Sequence, residues 1–167
     1  DVKQGIIRFD FLYKHNLHNV FRVPASVIDI FSIHLPVATQ THLFTTIVNR
    51  DLPEGNHLFV VLYSNSITIM LSKEGKLQVI QNFAYTDPAD CAFHLLNVCK
   101  GFDVQRDSVT LHINGMIDEQ SGLYDAIYKY FLRIGFDALP ENHAYYEPIK
   151  VHPPHFFSHL FALASCV

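Results

Sequence analysis

The sequence predicts an α/β fold with a mixed sheet, in which three antiparallel strands precede a helix, a fourth strand and another helix. A continuous apolar run over 58–63 is suited to a strand buried on both faces. Further strand-like runs over 67–71 and 77–85 follow it across tight turns. Residues 87–101 then have the start signal, the apolar spacing and the terminal glycine of a helix.

The helix over 87–101 has the clearest local signals. Asp87 is a capping residue, Pro88 suits the first helical position, and Asp90 places a carboxylate in the positively polarised first turn. Its apolar residues recur at i, i+3, i+4 and i+7, at Ala92, Leu95, Leu96 and Cys99. The sequence therefore predicts one helix face packed on the sheet.

The remaining C-terminal elements have weaker signals. Alternation over 109–113 predicts the fourth strand, and apolar residues at helical spacing predict a helix over 120–134 that ends at Gly135. Residues 136–154 are rich in proline, histidine and tyrosine, so we expect an irregular segment with one short strand near Ala138 or Tyr146. The run over 155–166 predicts a closing helix, with Phe156, Leu160, Phe161 and Ala164 on one face.

The N-terminal third predicts a hairpin followed by helices. Strands are expected over 4–13 and 20–23, then a helix between Pro24 and Pro36, and a second helical stretch over 39–48. The polar segment 49–56 contains both proline and glycine, as a linker does. We therefore expect residues 1–50 to be the remainder of a first lobe and residues 57–167 to form a second lobe.

Composition excludes some classes of function. Of the 167 residues, 49% are hydrophobic, and the 17% that are charged are fewer than the typical quarter. We therefore expect a large core, or a surface that another domain or subunit buries. The net charge of −4 gives no basic footprint for nucleic acid, and no apolar run reaches the roughly 18 residues of a membrane span. Because the chain opens with Asp1-Val2-Lys3, we expect a fragment of a longer protein.

The three cysteines favour a reducing compartment. Cys91, Cys99 and Cys166 form no CxxC pair, and the first two lie about 12 Å apart along the predicted helix, too far for a disulfide. We therefore expect reduced, buried thiols and a cytoplasmic location.

The order of elements over 58–134 resembles the core of the actin-like ATPase superfamily, within the ribonuclease-H-like group. More narrowly, the chain resembles the C-terminal part of an uncharacterised family from Bacteroidetes bacteria with the actin-like ATPase fold. It is also distantly similar to the cytoplasmic actin-like proteins of type IV pilus and type II secretion machines. This resemblance implies the fold, and it directs attention to the turn between the first two strands.

That turn lacks the residues that hold a nucleotide. Members of the superfamily that bind ATP carry an Asp-x-Gly turn there, followed by Thr or Ser, whereas this chain reads Tyr63-Ser64-Asn65-Ser66 before Thr68. The carboxylate that would organise Mg²⁺ and the glycine that lets amides approach phosphate are both missing. A later turn that would receive adenosine offers only the glycine of Asn114-Gly115-Met116. The resemblance thus implies a degenerate site, and we assign no catalytic, cofactor-binding or metal-binding residue.

The histidines His152, His155 and His159 are the most suggestive other cluster. His155 and His159 are spaced i, i+4, as helical metal ligands are, and His143 and Glu147 would complete a shell if a loop folded back. No glutamate follows His155 as in the zinc-protease pattern, so we interpret the histidines as capping and flanking a terminal helix.

Other reactive patterns have structural interpretations. The acidic pairs Asp87/Asp90 and Asp118/Glu119 lie at predicted helix starts. The first strand over 58–63 lacks the acidic residue of a ribonuclease-H nuclease, and Ser121 lacks the glycine frame of a nucleophile elbow. Cys91 and Cys99 are expected in the core. Several tyrosines suit a protein interface, namely Tyr124, Tyr128, Tyr130, Tyr145 and Tyr146.

The leading hypothesis is a non-catalytic actin-like scaffold or protein-interaction domain that binds a protein partner or itself and has no cofactor. The alternative is an ATP-binding phosphotransferase or ATPase with part of its site in a missing N-terminal segment. A metal-dependent sensor that uses the C-terminal histidines is the third hypothesis.

Overall fold

A computed structural model describes residues 5–139 and 145–164. It divides into two compact units, one ending at Arg50 and the other beginning at Asp51. The first unit contains β1 (Ile6–Leu12), β2 (Leu17–Val23), α1 (Ala25–His34) and α2 (Leu43–Val48). The second contains β3 (Asn56–Leu62), β4 (Ser66–Lys73), β5 (Lys76–Ala84), α3 (Pro88–Gly101), β6 (Val109–Gly115), α4 (Gly122–Tyr128), β7 (Ile134–Phe136), α5 (Glu147–Lys150) and α6 (Ser158–Ala164).

In the first unit, β1 and β2 form an antiparallel hairpin in which Phe9 lies opposite Val20. The Asp10 carboxylate anchors the chain before and within α2, because its Oδ2 atom accepts the His42 amide at 2.8 Å and the Thr45 hydroxyl at 2.6 Å. Asn19 donates from the neighbouring strand to the same threonine oxygen, at 3.0 Å. These bonds fix one face of the hairpin on α2.

In the second unit, five strands form one mixed sheet in the order β5-β4-β3-β6-β7. The pairs β3–β4 and β4–β5 are antiparallel, whereas β3–β6 and β6–β7 are parallel. The predicted α/β class, with three antiparallel strands followed by helix, strand and helix, is confirmed. Because β6 pairs in parallel with β3, the chain needs a crossover connection before it enters β6. The helix α3, which lies between β5 and β6 in the chain, forms this crossover.

Local signals explain α3. The Asp87 side chain accepts the amides of Ala89 and Asp90, and Asp90 reciprocates by accepting the Asp87 amide, which completes a capping box. The backbone and hydroxyl of Thr86 also donate to Asp90, and these hydrogen bonds are the main cause of its lowered pKa. The cap therefore uses both acids as helix starters, as the sequence predicts.

The core of the second unit lies between one face of the sheet and the helices α3 and α4. Alternate residues of the central strands β3, β4 and β6 are almost fully buried, as are Leu95 on α3 and Ile127 on α4. Burying one such side chain contributes about 1.5–3 kcal/mol. The core includes Leu58, Val60, Leu62, Ile67, Ile69, Leu71, Leu111, Ile113 and Phe131.

Several predicted boundaries were wrong. The helix predicted over 120–134 ends at Tyr128, and Gly135, expected to stop it, lies within β7. The backbone turns there instead, since the amides of Tyr130 and Phe131 both donate to the Ile127 carbonyl. This turn brings Phe131 into the core and lets Ile134 pair with Leu111. A strand at 134–136 therefore replaces the one expected near Ala138 or Tyr146.

Three other elements differ in extent from their predictions. β2 begins at Leu17 rather than at Val20, because a short 3-10 turn at Tyr13–His15 tightens the connection. The helix expected over 39–48 is limited to α2, whose start is capped by the His42 ring. The closing helix is divided into a 3-10 turn at Pro154–Phe156 and α6. Within residues 5–139 and 145–164, no helix has both the length and the apolar character needed to cross a bilayer.

Candidate functional site

The carboxyl ends of β3 and β6 lie side by side, with Leu62 paired to Gly115. In open α/β sheets, ligand sites form outside the carboxyl ends of strands where neighbouring connections diverge. In the sheet, β4 lies on one side of β3 and β6 lies on the other. The connection that leaves β3 runs to β4, away from β6. The turn after β3 is also where the sequence places the degenerate phosphate turn, so this edge is the candidate site.

The turn itself is closed by its own hydrogen bonds. The Tyr63 amide donates to the Ser66 carbonyl at 2.9 Å, which makes Ser64 and Asn65 a two-residue hairpin turn. From the end of β5, the Tyr85 amide donates to the Asn65 carbonyl at 3.1 Å, and its hydroxyl donates to the Tyr63 carbonyl. The turn is thus tied to β5, and it contains neither a carboxylate nor a glycine.

Thr68 and the serines of the turn are the residues whose hydroxyls could take the part of the superfamily's phosphate-binding Thr or Ser. Thr68 is almost fully buried, and its Oγ1 accepts a hydrogen bond from the Asn82 amide group at 2.9 Å. The two residues are direct cross-strand partners in β4 and β5. Thr68 therefore has an internal partner in the sheet.

Gly115 has a packing role. Its φ of +88° lies in the region that favours glycine, and a Cβ atom there would stand 2.1 Å from the Leu62 carbonyl oxygen. The next amide, of Met116, donates to that same oxygen at 2.7 Å. The glycine thus lets the two strand ends meet closely, which explains its presence without a nucleotide.

Residues from the C-terminal segment lie over this edge. The buried Asn114 side chain donates to Asp137 at 2.6 Å and accepts from the Ser158 hydroxyl. His155 Nε2 donates to the Ile117 carbonyl at 2.8 Å, and its ring packs on Phe136. Side chains of the C-terminal segment therefore contact the residues at and just after the carboxyl end of β6.

His159 is the most unusual side chain of this edge. It is 5% exposed, its ring lies edge-on to Tyr63 at a centroid distance of 5.6 Å, and neither ring nitrogen has a hydrogen-bond partner among the described residues. Burial lowers the pKa of His159 and raises that of Tyr63. Both groups are therefore held in their neutral forms.

The described C-terminal histidines contact aromatic rings and a backbone carbonyl. His152 packs against Phe156 and Phe157, His155 bonds to a backbone carbonyl, and Glu147 pairs with Lys150 at 2.7 Å. Among the described residues, no group of three or more His, Cys, Asp or Glu side chains could hold a metal ion. His143, the other residue considered for a shell, lies outside the described residues.

The cysteines and the residues before α4 have local structural roles where they are described. Cys91 and Cys99 are buried free thiols, and burial raises their pKa values to about 12 and about 11. Cys166 lies outside the described residues. Asp118 accepts the Gln120 amide, and Ser121 caps α4 by accepting the Tyr124 amide. These groups stabilise the fold locally.

The tyrosines differ in exposure. Tyr128 and Tyr146 are 53% and 76% exposed, and Tyr130 is 38% exposed. Tyr124 stacks on Tyr128 and Phe136. The exposed rings suit protein contact, whereas Tyr124 extends the core.

A groove between α3 and α4 includes Tyr130 in its lining. It measures about 270 Å³ and is lined by Ala89, Ala92, Phe93, Leu96, Ala126, Lys129 and Tyr130. Small-molecule sites usually enclose about 300–1,000 Å³ and contain several convergent polar groups. This groove is smaller and has one charged residue, Lys129, so it does not suit a nucleotide.

Two polar networks were not anticipated from the sequence. His57 Nδ1 and His112 Nε2 lie 3.0 Å apart, and His57 Nε2 donates to the Glu54 carbonyl at 2.8 Å. The Asn114 network joins β6, the segment after β7 and α6. Neither has a local sequence signal, because its residues are distant in the chain. His57 and His112 meet through the β3–β6 pairing, whereas Asn114 meets Asp137 after β7 and Ser158 on α6.

Comparison with known proteins agrees with the fold. Residues 2–134 match the family described as "Protein of unknown function (DUF3822)". A solved structure from Bacteroides thetaiotaomicron VPI-5482, described as a protein with actin-like ATPase fold and unknown function, is similar with a TM-score of 0.76 at 18% identity. The similarity covers 99% of this chain and 60% of that chain, so this chain spans three fifths of the neighbour's length. No curated protein matches the sequence.

Proposed function

Because the chain belongs to the DUF3822 family and has an actin-like ATPase fold, we propose that it is a non-catalytic scaffold or protein-interaction domain. One observation carries this proposal. Side chains of the C-terminal segment contact Tyr63 after β3 and Asn114 at the end of β6, and the turn after β3 contains no carboxylate to hold Mg²⁺.

The kind of partner follows from the surface. A net charge of −4 does not favour nucleic acid, whereas exposed tyrosines are typical of protein interfaces. Cys91 and Cys99 are free thiols, as is usual for cysteines in a reducing compartment. We therefore assign the domain to the cytoplasm and expect a protein partner or a second copy of the chain.

We also propose finer relationships and a division into lobes. The order of elements in the second unit supports placement in the ribonuclease-H-like group and a distant kinship with the actin-like proteins of type IV pilus and type II secretion machines. In this proposal residues 1–50 are the remainder of a first lobe, and residues 57–167 form the second.

Nucleotide binding tests the proposal directly. We expect the thermal unfolding of the protein to be unchanged by Mg-ATP, Mg-ADP or a non-hydrolysable ATP analogue. A ligand a hundredfold above its dissociation constant would stabilise the native state by about 2.7 kcal/mol, which such a measurement detects.

The opposite result would favour the alternative, an ATPase or phosphotransferase. A shift with turnover that disappears in Thr68→Val, and persists in Thr110→Val, the same change in another strand of the sheet, would contradict the scaffold proposal. Thr110 lies in β6 away from the turn, so the pair separates a loss of phosphate contact from a loss of stability.

A further inference from the structure

We propose that the outer edge of β1 pairs in antiparallel fashion with β1 of a second copy of the chain. The two hairpins would then form one four-stranded sheet across a two-fold axis. This inference rests on the proposed interaction function, and it identifies the partner as a second copy of this chain.

The hairpin has an open edge. Its sheet contains β1 and β2 alone among the described residues. An isolated two-stranded sheet is at best marginally stable in water, and three or more strands are needed for independent stability. Each outer edge presents alternate backbone amides and carbonyls as a template for another strand.

One face of the hairpin is apolar and exposed. Ile7 is 61% exposed, Phe9 69% and its cross-strand partner Val20 64%. The opposite face is the one whose Asp10 and Asn19 side chains bond to Thr45. An edge beside an uncovered apolar face is the kind of strand that other proteins protect with charges, proline or a bulge.

The sequence of β1 is complementary to itself. A two-fold axis through Phe9 places each Arg8 opposite Asp10 of the other copy, and Ile7 opposite Phe11. Opposite charges and apolar pairs directly across two strands each stabilise a sheet. Arg8 is exposed, and the hydrogen bonds that Asp10 receives from Thr41, His42 and Thr45 all go to its Oδ2 atom.

The same operation on β2 does not give complementary pairs. A two-fold axis through Val20 places His18 opposite Arg22 and Asn19 opposite Phe21. These contacts bring two basic side chains together and a polar one against an aromatic ring, which does not favour pairing. The charge pattern therefore selects β1.

Sedimentation of the full chain over a range of concentrations tests the dimer. We expect a monomer–dimer equilibrium, with amide hydrogen exchange in residues 6–12 slowing as the concentration rises. Arg8→Glu should raise the dissociation constant about tenfold, because it places like charges opposite each other. Lys76→Glu, an equal charge change at an exposed position where β5 begins, should leave it unchanged.

Three results would overturn the inference: a monomer at every concentration, concentration-dependent protection outside residues 6–12, or equal effects of the two charge reversals. Circular dichroism of both variants confirms that each is folded, so that weaker association cannot be due to unfolding. The test is independent of nucleotide. A nucleotide-dependent thermal shift would overturn the proposed function, whereas a monomer would overturn only the second-copy assignment.

Discussion

The two units of this chain are both rich in apolar residues, yet they use them differently. In the second unit, Leu58, Ile69 and Leu111 are fully buried within one core. In the first unit, α1 has one buried residue, Ile28, while Ile33 is 74% exposed. Apolar content alone therefore does not make a core, because an apolar side chain stabilises the fold only when a neighbouring element buries it.

The difference in burial between the two units also predicts which unit unfolds locally first. Elements with few buried apolar contacts open with low free energies, whereas core strands open only in global unfolding. We therefore expect the free energy of unfolding to depend mainly on the second unit. Four sets of substitutions test this difference, starting with the largest expected effect.

Gly115→Ala should destabilise the second unit most. The new methyl group would collide with the Leu62 carbonyl at a positive φ, so we expect a loss of about 4 kcal/mol in the free energy of unfolding, measured in urea. Gly101→Ala is the control, since its site is open and ends a helix. Similar losses in stability for the two variants would show that the ends of β3 and β6 do not approach each other closely at Gly115.

Leu95→Ala and Ile33→Ala compare the two units directly. Both residues are helical and aliphatic, but Leu95 is fully buried whereas Ile33 is 74% exposed. We expect losses of about 3 kcal/mol and less than about 0.5 kcal/mol, respectively, from equilibrium unfolding. Equal losses in the free energy of unfolding would contradict the difference in burial between the two units, because they would mean that α1 is covered in solution.

Asp87→Ala should have a smaller effect. Removing the side chain leaves the Ala89 and Asp90 amides without their cap, which costs about 1 kcal/mol and lowers Tm. Asp29→Ala, an exposed position inside α1, should change stability little. A cap substitution without effect would contradict the assignment of Asp87 as a helix starter.

The pH dependence provides the smallest and most specific test. Burial lowers the pKa of His159 below its ordinary value of 6.5, so below that pH the unfolded chain binds a proton that the native state resists. Stability should therefore fall as the pH decreases through 6.5 towards the lower native pKa. His159→Phe should reduce this loss, and the control His34→Phe, at an exposed position, should not.

The burial of His159 is central to this test. If acid unfolding of His159→Phe matched that of the parent protein, the ring would not be held in its neutral form. Comparison well above pH 6.5, where the ring is uncharged in both states, separates the loss of packing from the loss of titration.

The sequence predicted those elements whose signals are local. The cap at Asp87, the apolar stripe on α3 and the tight turns between β3, β4 and β5 each depend on a few adjacent residues. The end of α4 was not predictable in this way. Leu123, Ile127 and Phe131 have helical spacing, but Phe131 enters the core through a turn, because β7 must reach the sheet edge beside β6.

At the candidate site, too, local spacing in the sequence does not predict where the side chains lie. His155 and His159 have the spacing of helical metal ligands, yet Phe157 separates a 3-10 turn from α6, so the two rings find different surroundings. His155 bonds to the Ile117 carbonyl, whereas His159 packs on Tyr63. Spacing along the chain predicts a shared face only if the helix is continuous.

The fold class, the start of α3 and the lack of a carboxylate and a glycine in the turn after β3 can all be read from the sequence. The parallel pairing of β3 with β6, the close approach of Gly115 to Leu62, and the contacts of Ser158 and His155 with Asn114 and Ile117 are seen only in the folded chain. Capping and periodicity act between neighbouring residues, so they leave a signal in a short stretch of sequence. Strand pairing joins distant segments, and its outcome depends on what the whole core can bury.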